Sequence, residues 1–319
     1  MLVFTAIRRL ILRLTSNRVN FYRTNSDLNL LKIQLGKNQI NMSNFLHTPR
    51  KYLWDYEVKV FSQWGEDGII AFLLHSIGIV KPNILEIGAG DFTECNSRFM
   101  VEGFHANAYL VDGREDLVTS VSKSGLLWKS SLFAETIFVT RQNASEIWER
   151  ACKSLGSIDL VSLDLDGNDY WILKELSLSS ASVVVCEYNP LLGSKHELTI
   201  PYSESFDRTS AHYSNLYYGM SLRAAVRIMN QKGFIFVGSN LVGNNAFFVK
   251  SELIGKINIP FPDNNNLSIY CNWKIRESRD EFGELSHLSP SDGLKLIKDC
   301  PVIDLSNDVL LTIGDLEIL

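Results

Sequence analysis

Between residues 60 and 250 the chain alternates short apolar runs with helix-periodic segments, and it ends that pattern with two apolar runs separated by only a few residues. Such alternation predicts a parallel sheet flanked by helices. "NILEIG", "NAYLVDG", "AETIFVT", "IDLVSLDLDG" and "SVVVCEYN" read as five strands, each followed by a connection long enough for a crossover. "FIFVGS" and "NAFFVK" have only a short link containing Gly243 and Asn244, which permits a hairpin and no crossover helix. The expected fold is α/β: a Rossmann-like, doubly wound, mostly parallel seven-stranded sheet whose last strand is antiparallel. The expected organisation is a basic helical extension over 1–57, a catalytic domain over 58–250 and a C-terminal appendage over 251–319.

The 319 residues carry a net charge of -5, which argues against nucleic acid as partner, since binders usually show a basic footprint. Five cysteines without a C-x-x-C pair suggest free thiols in a reducing, cytoplasmic compartment. Residues 1–23 hold five arginines and no acid, and their apolar run is broken by Arg8, Arg9 and Arg13. Such a stretch does not span a bilayer; it suits peripheral contact with an anionic membrane, a transit peptide, or a helix packed on the domain.

Two stretches carry chemistry. In "LEIGAGDFTECNS" (85–97) a buried strand runs into Gly88-Ala89-Gly90, where missing side chains let a ligand approach the backbone. Thr93 stands where a dinucleotide fingerprint needs its third glycine, and Glu86 on the strand would repel a pyrophosphate but suit a cationic amino group. Asp112 closes the second strand, where an acid accepts hydrogen bonds from ribose hydroxyls or simply caps the next helix. Together they point to a nucleoside carrying an amino acid.

The second stretch, "SLDLDGNDYW" (162–171), gathers Asp164, Asp166, Asn168 and Asp169. A calcium loop is excluded, because Gly167 comes fourth where that loop needs glycine sixth. If the strand continues that far, Asp164 and Asp166 point to one side. They could serve as general base, as ligands of a divalent cation, or as a hydrogen-bond partner of a cofactor's amino group. With Glu187 and Asn189 of "CEYN" they form an all-oxygen set suited to Mg2+. Asn168 and Asp169 read as the capped start of the next helix.

These segments, with "FSQWGEDG" (61–68) and the "YYGMSL" to "NAFFV" tail, resemble class I S-adenosylmethionine-dependent methyltransferases, and among them the FkbM-like family. The resemblance implies that Glu86, Gly88 and Gly90 hold the methionine part of the cofactor and Asp112 the ribose. It places Ser62 and Gln63 in a segment folded over the cofactor, and Asn143 at the adenine; Asn143 equally reads as an N-cap with Glu146 completing a capping box. Asp164 then lies beside the reacting methyl group. The long insertion 189–219, with His196, Arg208, His212 and Tyr202, Tyr213, Tyr217 and Tyr218, suits a glycan or small-molecule acceptor. His212 is a second candidate base. The expected activity is O-methylation; the rival readings are a catalytically silent binding protein of the same fold and a nucleotide-dependent oxidoreductase.

Overall fold

The computed structural model describes residues 26–41, 50–263, 266–271 and 277–317. It divides into two units, Met1–His47 and Thr48–Leu319. In the first, residues 26–41 form a helix, α1. The basic stretch expected to meet a membrane, 1–23, lies outside the described residues. Among those described, no helix is long and apolar enough to cross a membrane.

The second unit is built on strands β1 (Asn83–Ile87), β2 (Asn107–Asp112), β3 (Leu132–Thr136), β4 (Leu160–Leu163) and β5 (Val183–Glu187). The insertion contributes a two-residue strand, β6 (Leu198–Thr199), and the hairpin is β7 (Phe234–Ser239) with β8 (Asn245–Lys250). The main sheet has the order β3-β2-β1-β4-β5-β8-β7. Its first five strands pair in parallel, and β8 runs antiparallel to both β5 and β7. This is the doubly wound, seven-stranded arrangement expected, with the last strand reversed. Every residue of β4 and β5 is buried, as central parallel strands covered on both faces require.

Helices α2 (Glu66–Ile77), α3 (Arg98–Phe104), α4 (Leu117–Lys123), α5 (Ala144–Leu155) and α6 (Asp169–Glu175) follow the chain, then a short α7 (Arg208–Ala211) in the insertion and α8 (Leu222–Gln231) before the hairpin. Trp148, Trp171, Ile172, Val184, Met229 and Phe248 belong to one large core with the strands. Because β2 and β4 lie on opposite sides of β1, the chain reverses direction across the sheet there. Ligands of open α/β sheets bind outside the carboxyl ends of the strands at such a point.

Two strand limits differ from the pattern. The third strand starts at Leu132 rather than Ala134, because its parallel register with β2 pairs Ala108 with Leu132 and Asp112 with Thr136. The fourth stops at Leu163, well before Gly167. Asp164 N still bonds Ile87 O at 3.0 Å, but β1 turns away at Gly88 and leaves no partner for the next residues. Asp166 then adopts φ 53°, so the alternation that was to set Asp164 and Asp166 side by side does not operate.

The segment after 250 continues into α9 (Pro290–Leu296), β9 (Pro301–Asp304) and β10 (Val309–Thr312). These last strands join β6 in a second sheet ordered β10-β9-β6. Leu198, Ile200, Leu216 and Tyr217 of the insertion share a small core with Ile297, Val302 and Ile313. The insertion is therefore packed against the chain's C-terminal part.

Candidate active site

The turn after β1 is shaped by contact with β4. Gly88 has φ +89°, and a Cβ there would meet the Asp164 carbonyl oxygen at 1.6 Å, so only glycine fits where the two strands end. Gly90 N donates to Asp112 Oδ2 at 2.7 Å, and Arg114 N donates to Asp112 Oδ1 at 2.9 Å. Asp112 thus ties the glycine turn to the end of β2 while still facing a cavity. Glu86 points elsewhere: its carboxylate accepts from Asn96 N at 2.8 Å and Ser97 N at 3.0 Å, before α3. Glu86 and Gly90 line neither of the cavities described next.

A cavity of about 560 Å³ opens over this turn, against Gly88, Asp112, Phe138, Val139, Asp164 and Asn168. A second, of about 240 Å³, lies toward β5 and is bounded by Gln63, Trp64, Glu187, Asn189, Tyr218 and Asn244. Asp164, Asp166, Arg208 and Glu277 line both. The two spaces therefore meet at the carboxyl end of β4.

At that junction Asp164, Asp166 and Glu187 each bring an oxygen within 4.8 Å of the others. Glu187 ends β5, is 5% exposed, and its Oε2 has no hydrogen-bond partner. Burial, together with the charges of Asp164 and Asp166, raises its carboxyl well above the usual range. Asp164 is raised likewise, by burial and by the Asp166 and Asp169 charges. The Arg208 guanidinium opposes both shifts.

Asn189 does not join this set. Its Nδ2 donates to Leu216 O and Tyr218 O, and its Oδ1 accepts from Leu191 N, so the side chain is consumed in holding the insertion. Asn168 and Asp169 begin α6 as expected, with a different use of their side chains. Asp169 accepts from Leu165 N and Gly167 N and so pins the loop that carries Asp164 and Asp166; burial lifts its carboxyl to about 6. Asn168 Nδ2 donates to Ser203 O while its buried Oδ1 is unpartnered on the wall of the larger cavity.

Ser62, Asn143 and His212 line neither cavity. Ser62 is buried, and its hydroxyl accepts from Asp67 N, closing the loop before α2. Gln63 lines the smaller cavity. Asn143 precedes α5 but makes no side-chain cap; its amide bridges Thr140 N and Phe138 O instead. His212 pairs Nδ1 with Ser214 Oγ at 2.7 Å, stacks on Tyr213, and lines neither cavity. Burial lowers its pKa. Two tyrosines of the insertion are structural: Tyr217 donates to Pro301 O, and Tyr202 reaches Arg141 N and Gln142.

Some lining residues were not among the expected site residues. Trp64 has a buried, unpartnered Nε1, and Glu277 and Arg279 come from the weakly periodic C-terminal part. Only the insertion's unusual length hinted that Arg208 would reach the strand ends.

No family model matches the chain, and no curated protein does. Similar solved structures include a candidate sarcosine dimethylglycine methyltransferase from Galdieria sulphuraria, at 13% identity and TM-score 0.34 over 54% of this chain and 60% of that one. Another is the Methanococcus jannaschii fibrillarin pre-rRNA processing protein, at 10% identity and TM-score 0.37 over 64% and 86%. A third is human N-acetylserotonin methyltransferase in complex with SAM, at 12% identity and TM-score 0.34 over 56% and 51%. The chain thus spans about half of the human enzyme's length.

Proposed function

We propose that this protein transfers a methyl group from S-adenosylmethionine to a hydroxyl oxygen of a small molecule or glycan. The observation that carries this reading is the meeting of two cavities at Asp164, one over a glycine turn and a strand-end acid, the other walled by acids and aromatic rings. The larger space takes the cofactor, with its ribose at Asp112, and the smaller takes the acceptor. In-line transfer then makes the O–CH3 bond as the S–CH3 bond breaks. The acceptor's proton passes to a carboxylate, and S-adenosylhomocysteine leaves. Holding donor and acceptor in line supplies most of the acceleration. Asp164 or Glu187 is the base, since a carboxylate of raised pKa takes a proton more readily.

The same acids fit Mg2+. They offer oxygen only, and the unpartnered Glu187 Oε2 is a free donor atom facing the cluster. Asp164, Asp166 and Glu187 would hold the ion, without Asn189. Bound there, it would lower the pKa of the acceptor hydroxyl.

Calorimetric titration with S-adenosylmethionine, S-adenosylhomocysteine and NAD tests the reading. Both S-adenosyl compounds are expected to bind, and Asp112→Ala to weaken them at least tenfold. Binding of NAD alone, or of none of the three, overturns it.

A further inference from the structure

The acid cluster already has a positive partner. The Arg208 guanidinium pairs with the Asp166 carboxylate, lies 3.7 Å over the Tyr218 ring, and donates from Nε to Asn215 O at 2.8 Å. Its side chain is only 24% exposed, so it does not swing freely between partners. Two of its three contacts are inside the insertion, and the third reaches across to the loop after β4. Arg208 also forms part of the wall of both cavities.

Charge balance gives this arrangement a consequence. Three carboxylates face one guanidinium, and Glu187, nine-tenths buried, keeps an oxygen that nothing satisfies. The cluster therefore offers more oxygen ligands than its one resident cation takes up, as a cation site does. A dication entering it meets the guanidinium at Asp166, and the two repel at close range.

We infer that Arg208 is the resident counter-cation of this cluster, and that a divalent cation taking up Asp164, Asp166 and Glu187 displaces it. Because the guanidinium is clamped by Tyr218 and Asn215, it leaves Asp166 only if the insertion around α7 moves with it. Cation occupancy is thereby coupled to the wall shared by the two cavities. This rests on the divalent-cation reading of the site and is independent of what the larger cavity binds. The ion pair itself is no obstacle, since Asp166 is 62% exposed and such pairs are weak.

The test uses the full chain and Mn2+ alone. Titration calorimetry measures Mn2+ affinity of the wild type, Arg208→Met and Arg208→Lys, each checked by thermal melting. Hydrogen exchange follows the amides of Ser210, Ala211, His212 and Asn215, which are bonded within the insertion. Removing the competing charge is expected to tighten Mn2+ about tenfold in Arg208→Met, with Arg208→Lys between it and the wild type. In the wild type, Mn2+ is expected to speed exchange at those amides several-fold, an effect that Arg208→Met abolishes.

Mn2+ bound by the wild type with unchanged or slower exchange overturns the coupling and leaves the cation reading standing. Unaltered or weaker Mn2+ affinity in a folded Arg208→Met overturns the competition. Mn2+ bound by none of the three proteins removes the cation site itself, and the inference with it. The wild-type exchange experiment decides the matter alone if the variants do not fold.

Discussion

Glu86 and Glu187 form a natural pair. Both sit at the carboxyl end of a parallel strand, both follow an apolar run, and both are almost fully buried, at 3% and 5% exposure. Burial raises both carboxyls. They part in their hydrogen bonds. Glu86 accepts the amides of Asn96 and Ser97, whereas Glu187 keeps Oε2 without a partner beside two further acids. A buried polar atom left unsatisfied is costly, so its persistence marks a place for a ligand, a proton or a cation. The satisfied glutamate is tied into the scaffold, and the unsatisfied one stands in the cluster of acids.

Substitution at the pair makes that contrast measurable. Glu187→Gln, like Asp164→Asn beside it, is expected to lower methyl transfer by at least about 100-fold while leaving cofactor affinity within about threefold. Its melting temperature should be unchanged or higher, because an unpaired buried acid has been neutralised. Glu86→Gln should behave in the opposite sense. It sets an amide NH2 against one of two buried N–H donors, at a cost of about 1–3 kcal/mol of stability read by urea unfolding. A large stability loss in Glu187→Gln, or none in Glu86→Gln, would erase the distinction.

Asp67 is an intermediate case. Its Oδ2 accepts from Val60, Phe61 and Ser62 N, while Oδ1 is buried and unpartnered; burial lifts the group to about 6. An acid whose pKa is raised by folding holds its proton more tightly in the native state. Its contribution to stability is therefore complete below the ordinary value of 3.8 and is lost as pH rises through about 6. Each pKa unit of that gap is worth about 1.4 kcal/mol. Urea midpoints between pH 4 and pH 7 should show the decline, and Asp67→Asn should make it shallower, with Asp169 still contributing over the same range. A slope identical in the variant would mean that the bonds at Oδ2 already outweigh burial.

The smallest effect is expected at His212, whose ring is bonded to Ser214 and lines neither cavity. His212→Ala should change the transfer rate by less than about threefold, as positions outside a site usually do. A loss near that of Asp164→Asn would restore it as the base.

Much of the scaffold was legible because its signals are local. The apolar runs, the helical stretches between them and the short link before "NAFFVK" together specify a doubly wound sheet with a reversed last strand. Of the expected site residues, the sequence best located those at strand ends, where Gly88, Asp112, Asp164 and Glu187 line the two cavities. Reasoning by alternation failed at Asp166, since the strand runs out of partners once β1 turns at Gly88. At Asn189 nothing near it in sequence shows that Leu216 and Tyr218 would claim its amide nitrogen. Glu277 lies 113 residues beyond Asp164 in the chain, in a stretch without clear periodicity.

By itself, then, the sequence determined the element order, the reversed strand and the crevice at which ligands would gather, because hydrophobic period and link length act over a few residues. Tertiary structure alone decided which acids are satisfied. The hydrogen bonds that quieten Glu86 and the empty side of Glu187 depend on loops and insertions that meet only once the chain is folded. Arg208 is the sharpest instance, a residue of the insertion brought across to Asp166 by contacts no local pattern encodes.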